Sequence, residues 1–270
     1  MKRWARWVLL LLILLPACAA GEKPEPALIC APQMPTPESA QVYDETAETT
    51  VPPAPKKIAY LTIDDGPSAS VTVPILDILQ IEGVKATFFV LPHEGVDHIY
   101  ERMLQEGHAV GNHSYSHVYQ QLYSAIDDGA FFRADVQRAE NWLKEKFGHE
   151  TDLFRFPGGS QSWDATVIAR RREILEEMGY RAFDWDVSNG DTNPPPACRA
   201  PETLAANVMG RADQSDRLIV LMHDTAGKVT TAQALQRIIA ELKAAGYGFD
   251  TLENYENTDC KIPLKLGTNG

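Results

Sequence analysis

From Lys57 onward the chain alternates short β-rich apolar runs with helical stretches, and several of the runs end on polar, ionisable clusters. Ile58–Ile63 leads into Asp64-Asp65-Gly66-Pro67-Ser68, and a helix is expected over 73–82 with Pro74 in its first turn. A second strand reads from Ala86 to Leu91, a helix over 97–106 closes at Gly107, and His108–Gly111 is a short strand. A long amphipathic helix covers 128–147 and stops at Gly148. The pattern then repeats, with strands at Leu153–Phe156, Arg181–Trp185, Leu218–Met222 and Tyr247–Leu252 and helices over 164–178, 201–210 and 230–245. Strands alternating with helices predict an α/β fold with a mostly parallel sheet, open or closed as a barrel.

In parallel α/β folds the carboxyl ends of the strands meet on one face, where active sites form. Asp64-Asp65, His113 and His117, Arg155, Asp186 to Asp191, and His223-Asp224 therefore converge by topology. Each is weak alone. Asp64-Asp65-Gly66-Pro67 reads equally as an acidic turn. If it is functional, adjacent residues leaving a strand point to opposite sides, so the two carboxylates take different tasks. His113 and His117, four apart, are expected on one face of a helical turn, close enough to share a metal. One carboxylate with two imidazoles leaves positions open for water and substrate. Arg155 has a fork of donors suited to orienting a carboxylate, and the N–H groups of the following Gly158-Gly159 turn suit an oxyanion. His223, closing a strongly apolar strand, is either a satisfied core histidine or a general acid. His93, His98, His108 and His149 lack such pairing and read as structural or surface residues.

Thr62-Ile63-Asp64-Asp65-Gly66-Pro67, His113-Ser114-Tyr115-Ser116-His117, Arg155-Phe156-Pro157-Gly158-Gly159, Asp186 to Asp191, and Leu221-Met222-His223 resemble, in order, the five motifs of the polysaccharide deacetylase family. This is carbohydrate esterase family 4, with its NodB homology domain, and the resemblance runs over residues 57–252. It implies a single distorted (β/α) barrel with fewer than eight repeats. It further implies that Asp65, His113 and His117 bind a divalent metal, zinc before cobalt, that Asp64 is the general base and that His223 is the general acid. By the same resemblance Arg155 orients Asp64, Asp191 pairs with His223, and the Gly158 N–H holds the oxyanion, with Leu221 and Trp185 beside the substrate. The chain departs from the family pattern at two places. Asp191 is followed by Thr192 rather than tryptophan, which leaves Trp185 to supply the aromatic wall, and Arg155 is followed by Phe156 where proline is common.

The N-terminus gives the setting. A basic start at Met1–Arg6, an apolar run from Val8 to Leu15, and small residues after Pro16 form an export signal over 1–19. The run falls short of the ~20 residues that span a bilayer. Leu15-Pro16-Ala17-Cys18 resembles a lipoprotein lipobox, so a membrane tether through lipidated Cys18 stands beside simple secretion. Residues 20–56, rich in Pro, Glu and Thr, read as a disordered linker, 57–256 as the deacetylase domain and 257–270 as a tail. In an oxidising compartment Cys198 and Cys260 can pair as a disulfide, with Cys30 as an alternative partner, and the pairing among the three stays open; the lack of a CxxC pair argues against a cysteine zinc site. A net charge of -12 argues against a nucleic-acid partner. The function expected is removal of N-acetyl groups from an amino-sugar polysaccharide at the cell wall, peptidoglycan foremost. The alternatives are an O-acetyl esterase on acetylated polysaccharide and a non-catalytic wall-binding lipoprotein.

Overall fold

A computed structural model of the chain describes residues 57–194, 199–212 and 214–256. The segments expected to be export signal, linker and C-terminal tail, and all four cysteines, lie outside the described residues. No helix among the described residues is long and apolar enough to cross a membrane.

The alternation seen in the sequence becomes a parallel sheet flanked by helices. In chain order the elements are β1 (Lys57–Asp64), α1 (Thr72–Glu82), β2 (Thr87–Val90), α2 (Asp97–Gln105), β3 (Ala109–Asn112), α3 (Tyr119–Leu122), α4 (Ala130–Phe147) and β4 (Leu153–Phe154). They continue with α5 (Ala165–Glu177), β5 (Arg181–Ala182), β6 (Val187–Ser188), α6 (Pro201–Ala212), β7 (Arg217–His223), α7 (Val229–Ala244) and β8 (Tyr247–Phe249). The short α3 and β6 were not foreseen, and β4, β5 and β8 are shorter than the sequence predicts. Every strand pairing is parallel, in the order β5-β4-β3-β2-β1-β7-β6, with β8 joining the first residues of β1.

The two ends of this path, β5 and β6, are consecutive in the chain, with only Phe183–Asp186 between them. The sheet must therefore curl back on itself. A loop, rather than a ladder of hydrogen bonds, joins its edges, which is the distorted barrel that the family resemblance implies. Tyr60, Phe89, Leu153, Phe183 and Ile219 form one buried cluster, with Trp185 against it. A larger cluster lies between sheet and helices, and the helices face it with regular stripes: Ile75, Leu76 and Leu79 on α1, and Leu235, Ile238, Ile239 and Leu242 on α7. β7 is apolar on both faces from Leu218 to Met222 because it lies inside the sheet. Fully burying each such side chain is worth roughly 1.5–3 kcal/mol.

Helix ends follow local chemistry. Asp164 caps α5 by accepting from the Thr166 and Val167 N–H groups. α4 stops at Gly148, whose φ of 64° is left-handed and open to glycine at no steric cost.

Candidate active site

Because all strands run the same way, their carboxyl ends deliver the polar clusters to one rim. Asp64 is the last residue of β1 and His223 the last of β7, and the two are register partners. His113 follows β3, and Arg155 follows β4. The rim therefore gathers the residues the sequence singled out.

Asp65, His113 and His117 bring one ligand atom each within 4.8 Å of one another. Asp65 Oδ1 lies 3.3 Å from Nε2 of both imidazoles. The Nδ1 of His113 is 2.9 Å from the Arg155 carbonyl, which can only accept, so that nitrogen holds the proton and leaves Nε2 free to face Asp65. Burial pushes the Asp65 carboxyl up, but the two imidazoles outweigh burial and hold it well below the usual carboxylate range. An ionised carboxylate and converging imidazole nitrogens, one with its tautomer set by the backbone, fit a divalent cation.

Two expectations about this cluster need correction. His113–His117 is a loop and not a helical turn: Ser114 and His117 have φ of 74° and 54°. The loop is held from within and from α4. Ser114 Oγ accepts from the His117 N–H at 3.1 Å, and Asp135 Oδ1 accepts from the N–H groups of Tyr115 and Ser116 at 2.8 and 3.2 Å. Asp64 and Asp65 also do not point to opposite sides. Asp65 has φ 77°, which returns its carboxylate toward the pocket, so His113 Nε2 is 3.9 Å from Asp64 Oδ2 as well as 3.3 Å from Asp65. Among the described residues other than glycine, Asp128 is the only further one with positive φ. Three of four such strained positions thus lie in this cluster, as expected where a site over-determines its backbone.

Arg155 is fully buried. Its Nη1 donates to Asp64 Oδ1 at 3.0 Å and to Thr62 Oγ1 at 2.6 Å, while Nε and Nη2 donate to the carbonyls of Phe183 and Asp184. The guanidinium thus crosses the barrel interior, tying β1 to the loop that joins the sheet's edges. On the opposite flank Asp191 Oδ1 is 2.8 Å from His223 Nδ1. Its Oδ2 accepts from the His223 N–H and from Thr231 Oγ1. Burial alone would depress the His223 imidazole, but the bond to Asp191 and the nearby Asp64 and Asp65 charges outweigh it and raise it. Asp191 shifts the opposite way: burial would raise it, and His223 and Thr231 pull it below its ordinary value.

The remaining residues surround these pairs. Gly158 is exposed, with φ 74°. Trp185 packs on Gly159, where an added Cβ would meet the ring at 2.5 Å, and its ring is 5.8 Å from the Arg155 guanidinium. Leu221 is buried in β7 beside Ser188 of β6. Phe156, the departure after Arg155, fills a cluster with Phe132 and Phe154.

Sequence reasoning missed several supports. Asp135 is a charged residue on the apolar face of α4, between Phe132 and Val136, and that misplacement was a readable signal. Asn112 accepts from Ser114 N–H and donates to Val136 O and Tyr180 Oη. His93 Nε2 lies 3.0 Å from the Asp65 carbonyl. The Tyr119 ring is 5.0 Å from His117, and burial followed by the Asp65 and Asp64 charges raises its hydroxyl.

Asp224 sits behind the site, wholly buried, and burial pushes its carboxyl up to about 7. Thr72 donates to its Oδ2 at 2.6 Å. Its two oxygens lie 2.2 Å from where a Cβ on Gly66 would stand. Gly66→Ala must therefore displace either the carboxyl or the Asp64-Asp65 turn. The expected cost is roughly 1–3 kcal/mol, with weaker metal binding. Thermal unfolding and zinc titration check this, and an unchanged melting temperature would contradict it.

Comparison with known proteins agrees with this geometry. The polysaccharide deacetylase family pattern matches residues 52–183. The peptidoglycan-N-acetylglucosamine deacetylase PgdA of Listeria monocytogenes is 33% identical over 209 residues, which are 75% of this chain and 40% of PgdA. A peptidoglycan-N-acetylglucosamine deacetylase of Bacillus cereus is 32% identical over 74% of this chain and 88% of its own length. The catalytic domain of peptidoglycan N-acetylglucosamine deacetylase from Eubacterium rectale superimposes with a TM-score of 0.67 at 32% identity, over 76% of this chain and 92% of that one. With a parallel sheet curled into a distorted barrel and the five ordered motifs on its rim, the chain belongs to the polysaccharide deacetylase family.

Proposed function

We propose that this chain hydrolyses N-acetyl groups from an N-acetylglucosamine-containing wall polysaccharide, peptidoglycan foremost, releasing acetate and leaving a free amine on the sugar. The names of the Listeria, Bacillus cereus and Eubacterium rectale relatives support the substrate class. The observation that carries the reading is the pair of flanks around the Asp65–His113–His117 cluster. An arginine-bound carboxylate stands on one side and a carboxylate-bound imidazole on the other.

Asp65, His113 and His117 would hold the cation, zinc or cobalt, which when bound supplies Lewis acidity toward the acetamide carbonyl and toward water. Asp64, oriented by Arg155, accepts a proton as water adds to the carbonyl carbon. The Gly158 N–H donates to the oxyanion, a kind of contact worth roughly 3–4 kcal/mol when lost. His223, whose affinity for a proton is raised by its bond to Asp191 against the effect of burial, gives its proton to the nitrogen as the carbon–nitrogen bond breaks. Trp185 and Leu221 border the acetyl group. In this reading the enzyme is exported, secreted or tethered through Cys18, and acts on the wall.

The test is acetate release by the purified chain from peptidoglycan and from N-acetylglucosamine oligomers, with and without chelator. Release abolished by chelator and restored by zinc or cobalt is the expected result. Release from acetylated xylan alone would select the O-acetyl esterase reading, and no release by metal-loaded protein would favour wall binding without catalysis.

The acid role makes a further prediction. The His223 imidazole is raised, so the stabilisation from its bond to Asp191 is fully present below the ordinary histidine value and is lost as pH rises through the raised one. Catalysis by the protonated form must fall over that same range. In Asp191→Asn the alkaline limb of the kcat/KM profile should move to lower pH, and an unmoved limb would remove His223 from the acid role.

A further inference from the structure

The third motif closes a turn. The Gly159 N–H donates to the Phe156 carbonyl at 2.8 Å, with Pro157 and Gly158 between them. With φ of 74° at Gly158, this is the type II arrangement. Types I and II differ by a rotation of about 180° of the central peptide, here Pro157–Gly158. Proline at the first central position suits both types, and glycine at the second can enter both. Local sequence therefore favours the observed type without excluding the other. The choice has a chemical consequence, because in a trans peptide the C=O and N–H point in opposite directions. Whatever fixes the Pro157 carbonyl also fixes the Gly158 N–H.

Two side chains fix that carbonyl. Tyr123 Oη donates to it at 2.8 Å and Trp163 Nε1 at 3.3 Å. They come from separate segments, one just after α3 and the other just after a 3-10 turn at Ser160–Ser162. Their rings stack with centroids 4.3 Å apart and 24° between planes. The Tyr119 ring connects this pair to the site, 5.1 Å from Trp163 and 5.0 Å from His117. Burial raises the Tyr123 hydroxyl, so it remains a donor throughout the neutral range.

We propose that Tyr123 and Trp163 are positioning residues that hold the Pro157–Gly158 peptide in one of its two orientations and so keep the Gly158 N–H turned toward the oxyanion. The proposal rests on the deacetylase reading for its kinetic consequence and on the turn geometry alone for its structural one.

Tyr123→Phe keeps the ring and removes the hydroxyl donor; Trp163→Phe removes the N–H donor. In the metal-loaded full chain, each is expected to lower kcat on N-acetylglucosamine oligomers about tenfold, the effect of one lost hydrogen bond. The double variant should approach the ~10²–10³-fold loss of an oxyanion donor, with KM within about twofold. The Gly158 amide resonance, assigned by NMR, should shift or double in the double variant. A merely packing role would lower the melting temperature and leave both kcat and that resonance in place, which would overturn the proposal. An inactive wild-type enzyme with a displaced Gly158 resonance in the double variant would sustain the positioning role while removing the deacetylase reading.

Discussion

Asp64→Asn is expected to reduce acetate release by about 10³–10⁴-fold, the upper end of what a positioned general base supplies, while leaving zinc affinity nearly unchanged. The separation of the two effects is the point. Asp64 is 3% exposed and its Oδ1 accepts from the Arg155 guanidinium. Asparagine keeps the shape and can still present an oxygen to Arg155, but it cannot take up a proton from water. The candidate metal cluster contains the neighbouring carboxylate, Asp65, whose oxygen lies 3.3 Å from both imidazole nitrogens. Asp65→Asn should reverse the pattern and lose metal first. Isothermal titration with zinc beside acetate assays distinguishes the two variants. If Asp64→Asn kept more than about a tenth of wild-type kcat, the base would have to be sought elsewhere.

Arg155→Met is expected to cost about 3–5 kcal/mol of stability, the range for removing one partner of a buried ion pair. The arginine is wholly buried, and its loss leaves Asp64 and the Phe183 and Asp184 carbonyls without this donor, while Thr62 Oγ1 keeps only its bond to Val220. At roughly 2–4 °C per kcal/mol for a domain of this size, the melting temperature should fall on the order of 6–20 °C. Arg155→Lys restores one charge but not the fork that reaches four acceptors, so it should recover only part of the loss. A drop under about 2 °C in Arg155→Met would mean that the guanidinium is not holding the two sides of the barrel together.

The fold was legible because its periodicities are strong. The both-face apolar run Leu218–Met222 and the striped helices around it left little choice. The strand-end clusters were legible for a topological reason: parallel strands deliver their carboxyl ends to one rim whatever the details. Local backbone geometry was not legible. Two histidines four apart meet on a helix, but they also meet across a tight loop with left-handed residues, and Ser114 and His117 take the second route. Alternation along a strand predicts opposed carboxylates only while the strand continues, and Asp65 leaves it at φ 77°. Asp135, which arrives from α4 to hold the histidine loop, required the tertiary structure.

The position of β1 bears on when this protein can become itself. The strand that carries Asp64 and Asp65 is flanked by β7, and Thr62 bonds to Val220 across 158 residues of chain. No early part of the polypeptide can complete that centre; it waits for nearly the last strand to emerge. Contacts of such long sequence separation close slowly, because the loop entropy must be spent before they form. This topology defers commitment until almost the whole chain is available. The same deferral gives a form of quality control, since a chain truncated before β7 lacks the neighbour that aligns its first motif and would never assemble a half-working site.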